Sequence, residues 1–239
     1  MTHKLPVGVQ DFETLRTGNY VYVDKTRLLY RMITQGRVYF LSRPRRFGKS
    51  LLVSTLHAIF RGERHLFKGL WIDSSDYTWE QYPVIWLDMS AVENSSAELL
   101  QLSLNEQLAK IAKRYGIDLA PSVSVAGRLD NLIIQLAENN QKVVVLIDEY
   151  DSPLIDQINR PEIALENREI LKKFYSILKV QDANIRFVLL TGISKFSKVS
   201  VFSGLNNLED ISLLADYATL LGYTQQELTD YFSLEIDSL

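Results

Sequence analysis

The stretch VYFLSRPRRFGKSLL, Val38 to Leu52, decides how the chain is read. Its opening residues, Val38 to Leu41, are apolar enough for a short buried strand. Gly48-Lys49-Ser50 then opens an apolar helix after a turn, the order of parts in a phosphate-binding loop. The N–H groups of a first helical turn have no partners of their own, so phosphate oxygens can take them. Arg45, Arg46, Phe47, Gly48, Lys49, Ser50 and Leu51 are therefore the expected nucleotide contacts. The Lys49 ammonium would neutralise β/γ-phosphate charge and the Ser50 hydroxyl would ligate Mg²⁺. The pattern G-x-x-x-x-G-K-[ST] asks for a glycine five residues before Gly48, where this chain has Arg43. Arg37, Arg43, Arg45, Arg46 and Lys49 put five positive charges within thirteen residues with no acid among them. A triphosphate explains that density better than a solvated face does.

A second stretch, KVVVLIDEY (Lys142 to Tyr150), reads as a strand buried on both faces that ends in two carboxylates. This is the Walker B pattern: Asp148 would hold Mg²⁺ and Glu149 would act on the attacking water as general base. A buried strand with a solvated acidic end is the plainer alternative. The position of KVVVLIDEY downstream of a GKS turn, with each motif after an apolar strand, favours the nucleotide site.

Four segments together, RPRRFGKSLL (43–52), VVVLIDEYDSPL (143–154), LLTGISKFSKVSVFSGLNNLEDIS (189–212) and the opening PVGVQDFETLRTGNYVYVDKT (6–26), resemble the AAA-ATPase-like family of bacterial P-loop proteins. The resemblance runs from about Pro6 to Leu228 in family order, and in that family an arginine at the first P-loop glycine is usual, so Arg43 ceases to count against the site. It implies Mg²⁺-dependent ATP binding and hydrolysis, with ATP and Mg²⁺ as cofactors and Glu149, Lys49 and Thr191 as catalytic residues. Ser50 and Asp148 would be the metal ligands, and Thr191 or Ser194 the γ-phosphate sensor. It also implies a five-stranded, largely parallel sheet in the order 5-1-4-3-2. Relatives of the superfamily often cover the adenine with the segment before the first strand, so Tyr20 and Tyr22 either stack there or pack on the outside of the domain. Family members typically carry a C-terminal PD-(D/E)xK nuclease-like domain. No lysine of this chain has an acid two residues before it, so nuclease chemistry is not expected here. A slow nucleotide-dependent switch acting on a partner or on a fused nuclease-like domain is the alternative to an ATPase. A homo-oligomer enters only if an arginine acts from a neighbour, since Arg45 and Arg46 are the candidates within the chain.

The 239 residues, 46% hydrophobic and 23% charged, suit one α/β domain. Its expected parts are an extension over 1–35, a core over 36–222 and the start of a C-terminal helical region over 223–239, in a chain that is naturally short or a piece of a longer one. The net charge of −3 gives no general attraction to nucleic acid. Arg43, Arg45, Arg46, Lys195 and Lys198 would have to form a local basic patch for nucleic acid to bind. With no cysteine, thiolate chemistry is excluded, and His3, His57 and His65 are too scattered to form a metal site. No apolar run approaches a membrane span and no signal-like leader is present, so a cytoplasmic protein without a membrane partner is expected.

The remaining elements follow from periodicity and punctuation. Helices are expected over 25–34, from 51 to 60, from a Ser95-x-x-Glu98 capping box to Tyr115, over 125–138 and over 161–179, with Pro153 blocking a helix before the last. Further strands are expected at 84–88, at 185–190 with Thr191-Gly192 as its break, and at 211–214. Thr224-x-x-Glu227 is a second capping box. Buried strands alternating with helices predict an α/β three-layer sandwich. Ligands in such sheets bind beyond the strands' carboxyl ends, where Gly48, Asp148 and Thr191 emerge.

Overall fold

Val143–Asp148 is buried at every position, because its run of branched apolar residues has helices on both sides. It is the third of five strands, β1 (Val38–Ser42), β2 (Val84–Asp88), β3 (Val143–Asp148), β4 (Ile185–Gly192) and β5 (Glu209–Asp210), which pair in the parallel order 2-3-4-1-5. The computed structural model describes residues 4–120, 124–138, 141–195, 201–202, 205 and 207–236. Alternation along the strands divides the core in two. Phe40, Leu87, Val145, Ile147 and Leu190 face one side, where α4 (Ala97–Arg114), α5 (Val125–Leu136) and α7 (Pro161–Val180) pack. Tyr39, Leu41, Val144, Leu146 and Leu189 face the other, against α1 (Phe12–Thr17), α2 (Thr26–Gln35) and α3 (Lys49–Phe60). This is the expected three-layer P-loop architecture, with the β1 and β3 exits separated by β4.

Register sets the site. Asp88 lies opposite Asp148, Leu41 opposite Thr191 and Ser42 opposite Gly192, so the strand ends are level where the loops leave. β4 does not break at Thr191-Gly192 as its glycine predicts, because Gly192 continues the pairing with β1 and its carbonyl accepts the Arg43 N–H at 3.1 Å. Glycine is needed there for space: a Cβ would sit 2.4 Å from Tyr150 Cε1 and 2.7 Å from Asp151 Oδ1.

Other boundaries move for local reasons. The cap of α4 is Ser96, whose hydroxyl accepts the Leu99 N–H at 3.3 Å, while the Ser95 N–H is taken by the Glu93 carboxylate at 3.2 Å, so no Ser95–Glu98 box forms. β5 lies ahead of the expected 211–214 because Ile211 packs in the core while only Glu209 and Asp210 pair with β1. Pro153 does not prevent a helix: it sits in the first turn of α6 (Ser152–Ile155), where its missing N–H is not required. Thr224 and Glu227 do form a capping box at α8 (Gln225–Ile236), with reciprocal bonds of 2.8 and 3.2 Å. No helix of the described residues is long and apolar enough to cross a membrane.

Two stability predictions follow from this frame. Gly192→Ala must displace buried Tyr150 or Asp151 and is expected to cost about 1–3 kcal/mol or more, read as a lower urea midpoint. His57 on α3 stacks near Trp86, at 5.1 Å between ring centroids, and burial, then the positive charges of Arg61 and Arg114, push its pKa down from 6.5 to about 4 against the pull of Asp11. The unfolded imidazole takes a proton that the folded one refuses. Stability is therefore fully kept above pH 6.5 and lost as pH falls toward about 4. The loss should be about 1–3 kcal/mol after allowance for partial exposure, and His57→Gln should flatten the dependence of the urea midpoint on pH over that window.

Candidate functional site

β1 ends at Ser42, and residues 43–48 turn the chain into α3. The turn needs left-handed backbone at Arg46 (φ 64°) and Gly48 (φ 90°). At Gly48 the requirement is conformational, since a Cβ would meet only Leu221 at 3.8 Å. Among the described residues no side chain caps α3, so its first-turn N–H groups remain available to an anion. Lys49 is 4% exposed, and its Nζ donates to the carbonyls of Arg43 and Pro44 at 3.1 Å each. Burial lowers its pKa, partly offset by the carboxylates of Glu149, Asp148 and Asp151, in that order. Ser50 is half-buried in the first turn of α3, beside Lys49.

Arg43 does not face the phosphate position. Its Nη1 donates to the Ser212 carbonyl and to that of Ser42, and the Ser42 N–H donates to the Ser212 hydroxyl at 2.9 Å. The arginine standing where the pattern asks for glycine thus straps the stem of the loop to the segment after β5. Of the five residues of the expected basic patch, Arg43 is used in this way, Lys195 pairs with Asp210 at 3.3 Å, and Lys198 lies outside the described residues. Arg45 and Arg46 are exposed at the tip of the loop.

At the β3 exit, buried Asp148 accepts the Thr191 hydroxyl on Oδ1, and the same hydroxyl accepts the Glu149 N–H at 3.3 Å. Glu149 adopts a left-handed conformation (φ 52°), and its Oε2 accepts from Ser152 Oγ at 3.2 Å. Asp151, 1% exposed, accepts the N–H groups of Ile193 at 3.1 Å and Ser194 at 2.7 Å. Its carboxylate is committed to the loop after β4. Ser194 contributes to that anchoring through its backbone, its carbonyl also accepting Tyr150 OH at 2.9 Å. The structure therefore brings Lys49, Ser50, Asp148, Glu149 and Thr191 to one end of the sheet. A cation there would find hard oxygen donors, the Ser50 hydroxyl and Asp148 Oδ2. Among the described residues no cluster of three or more acidic or histidine side chains offers a metal cage independent of a ligand.

Beside the loop opens a cavity of about 400 Å³ lined by Tyr22, Lys25, Phe47, Gly48, Leu51 and Tyr223 among others. Tyr22 is the tyrosine of the opening segment that reaches it, packed edge-on to Phe12 at 5.1 Å, whereas Tyr20 bridges to Lys4 away from it. Sequence reading did not find the far wall, Leu220 to Tyr223, or the Lys25–Glu227 ion pair of 2.5 Å that ties α8 to the start of α2. Glu227 was visible as a capping residue, but nothing local indicates a partner 202 residues away.

A family described as "Predicted AAA-ATPase" matches residues 6–202. The "Uncharacterized protein in vnfD 5'region" of Azotobacter chroococcum mcd 1 is 45% identical over 247 residues, covering 99% of this chain and 46% of that protein, so the chain spans about half the length of this relative. Among solved structures, Cdc6p of Pyrobaculum aerophilum is similar over 88% of this chain and 46% of its own, at 13% identity and a TM-score of 0.41. ORC2 of Aeropyrum pernix, described in ADPNP-ADP complexes, is similar over 92% and 54%, at 16% identity and a TM-score of 0.46. Matched over most of its length, the chain belongs to the Predicted AAA-ATPase family.

Proposed function

We propose that this domain binds Mg-ATP across the exits of β1, β3 and β4 and hydrolyses it. The observation that carries the reading is the convergence on one sheet end of an uncapped helix start, a buried lysine and two successive carboxylates, next to a largely apolar cavity that fits a base. The phosphates lie on the N–H groups of residues 45–51, and the Lys49 ammonium exchanges its two carbonyl acceptors for β/γ oxygens. Ser50 and Asp148 would hold Mg²⁺, which would neutralise charge on the phosphates. Asp148 is oriented for this by the Thr191 hydroxyl, which occupies Oδ1, while Oδ2 has no hydrogen-bond partner among the described residues. Glu149 orients water and receives its proton. The base and ribose fill the cavity between Tyr22 and Tyr223.

A switch with slow turnover is the second reading, and one feature favours it. The cavity wall at Leu220 to Tyr223 leads directly into α8, so a filled cavity bears on whatever follows α8 in a longer protein. A nucleic-acid contact rests on Arg45 and Arg46, and a homo-oligomer would serve to bring an arginine from a neighbour.

Lys49→Ala is expected to abolish measurable Mg-ATP binding in calorimetry, and unchanged affinity would sink the phosphate-site assignment. A lysine in a phosphate-binding loop ordinarily has few native contacts to lose. The burial of Lys49 and its two carbonyl bonds instead predict a stability loss of about 1–2 kcal/mol, the bonds being worth more than this and relief of a buried charge offsetting part. Glu149→Gln should keep Mg-ATP affinity and slow phosphate release by about two to four powers of ten. A wild-type rate in that variant would remove Glu149 as the base.

A further inference from the structure

Glu149, the first residue past β3, is held by its neighbours at both backbone and side chain. Its left-handed backbone (φ 52°) is disfavoured for a residue with a Cβ and persists because three bonds fix it. Its N–H donates to the Thr191 hydroxyl at 3.3 Å, its carbonyl accepts the Ser152 N–H at 2.9 Å, and the next residue's N–H donates to the Thr191 carbonyl at 2.8 Å. With the backbone settled, the direction of the carboxylate depends on the side-chain torsions, and one group restrains them. Ser152 Oγ donates to Oε2 at 3.2 Å, while Oε1 has no partner among the described residues. Ser152 is itself 7% exposed and pinned at the start of α6, where Pro153 follows.

We propose that Ser152 is a positioning residue: its hydroxyl ties one oxygen of Glu149 and turns the other, Oε1, toward the attacking water. The inference rests on the reading of Glu149 as base. In the step it serves, the water oxygen bonds to the γ-phosphorus, the bond from phosphorus to the bridging oxygen breaks toward ADP, and the water proton passes to Oε1. A donor on Oε2 has two effects. It removes rotamers in which neither oxygen faces the water, and it leaves Oε1 as the oxygen able to take the proton.

The test compares Ser152→Ala, Ser152→Thr, Glu149→Gln and the double variant of the full chain, reading Mg-ATP affinity by calorimetry and kcat and KM by phosphate release. Ser152→Ala should keep affinity and KM within about twofold and lower kcat by about tenfold. Ser152→Thr, which retains the hydroxyl, should restore kcat, and Ser152→Ala should add no further loss in the Glu149→Gln background. A wild-type rate for Glu149→Gln would overturn the reading of the base and this inference with it. A slowed Glu149→Gln beside a Ser152→Ala with wild-type kcat, or a loss that multiplies in the double variant, would overturn the role of Ser152 alone.

Discussion

The Thr191 hydroxyl is shared between two successive groups at the exit of β3: it donates to the Asp148 carboxylate and accepts the Glu149 N–H. Burying an ion costs several kcal/mol unless bonds replace its hydration, and this site buries three ionisable groups before any ligand arrives. Each is met differently. Asp148 has Thr191, Lys49 has the carbonyls of Arg43 and Pro44, and Asp151 has the N–H groups of Ile193 and Ser194. Of the three, the lysine has the most to gain from an anion, because its partners are neutral carbonyls and burial already lowers its pKa. The acids are fixed by the fold, and the lysine is the group left to change partner.

That division explains what could be read in the sequence. The strands were legible because continuous apolar runs such as VVVLID have no other stable place than between two layers, and the carboxylates follow from where that run stops. The strand order came from the family resemblance, since nothing in the spacing of the runs selects 2-3-4-1-5 over other orders. Local chemistry was readable to within a residue. The Thr224–Glu227 box forms as written, while the cap of α4 falls on Ser96 because the Glu93 carboxylate claims the neighbouring N–H. β5 was displaced because hydropathy reports which side chains are buried and not which backbone groups pair, and Ile211 does the first without joining the strand.

What stayed hidden is what couples distant parts. The Arg43 guanidinium reaches a carbonyl 169 residues away and Lys25 a carboxylate 202 away, and neither pairing leaves a periodic trace. The arginine is instructive in physical terms. A glycine at that position would give the loop conformational freedom, whereas Arg43 removes freedom by strapping β1 to the segment after β5, and the left-handed turns fall instead at Arg46 and Gly48. A departure from the motif is here a different way of holding the same loop.

The two ends of the site consequently rest on different foundations. The end that carries Lys49, Asp148 and Glu149 hangs on β1, β3 and β4, the most buried strands of the sheet. The cavity end is walled by the opening segment and by Leu220 to Tyr223, and beside it the Lys25–Glu227 pair, between partly exposed groups, ties α8 to the start of α2. Such a pair contributes little by itself. A ligand that fills the cavity adds apolar contact to both walls at once. On the proposed reading the base would add contact at the cavity end, while the phosphates would meet a part that is already built. Whatever lies beyond α8 in a longer protein is attached to the wall that gains.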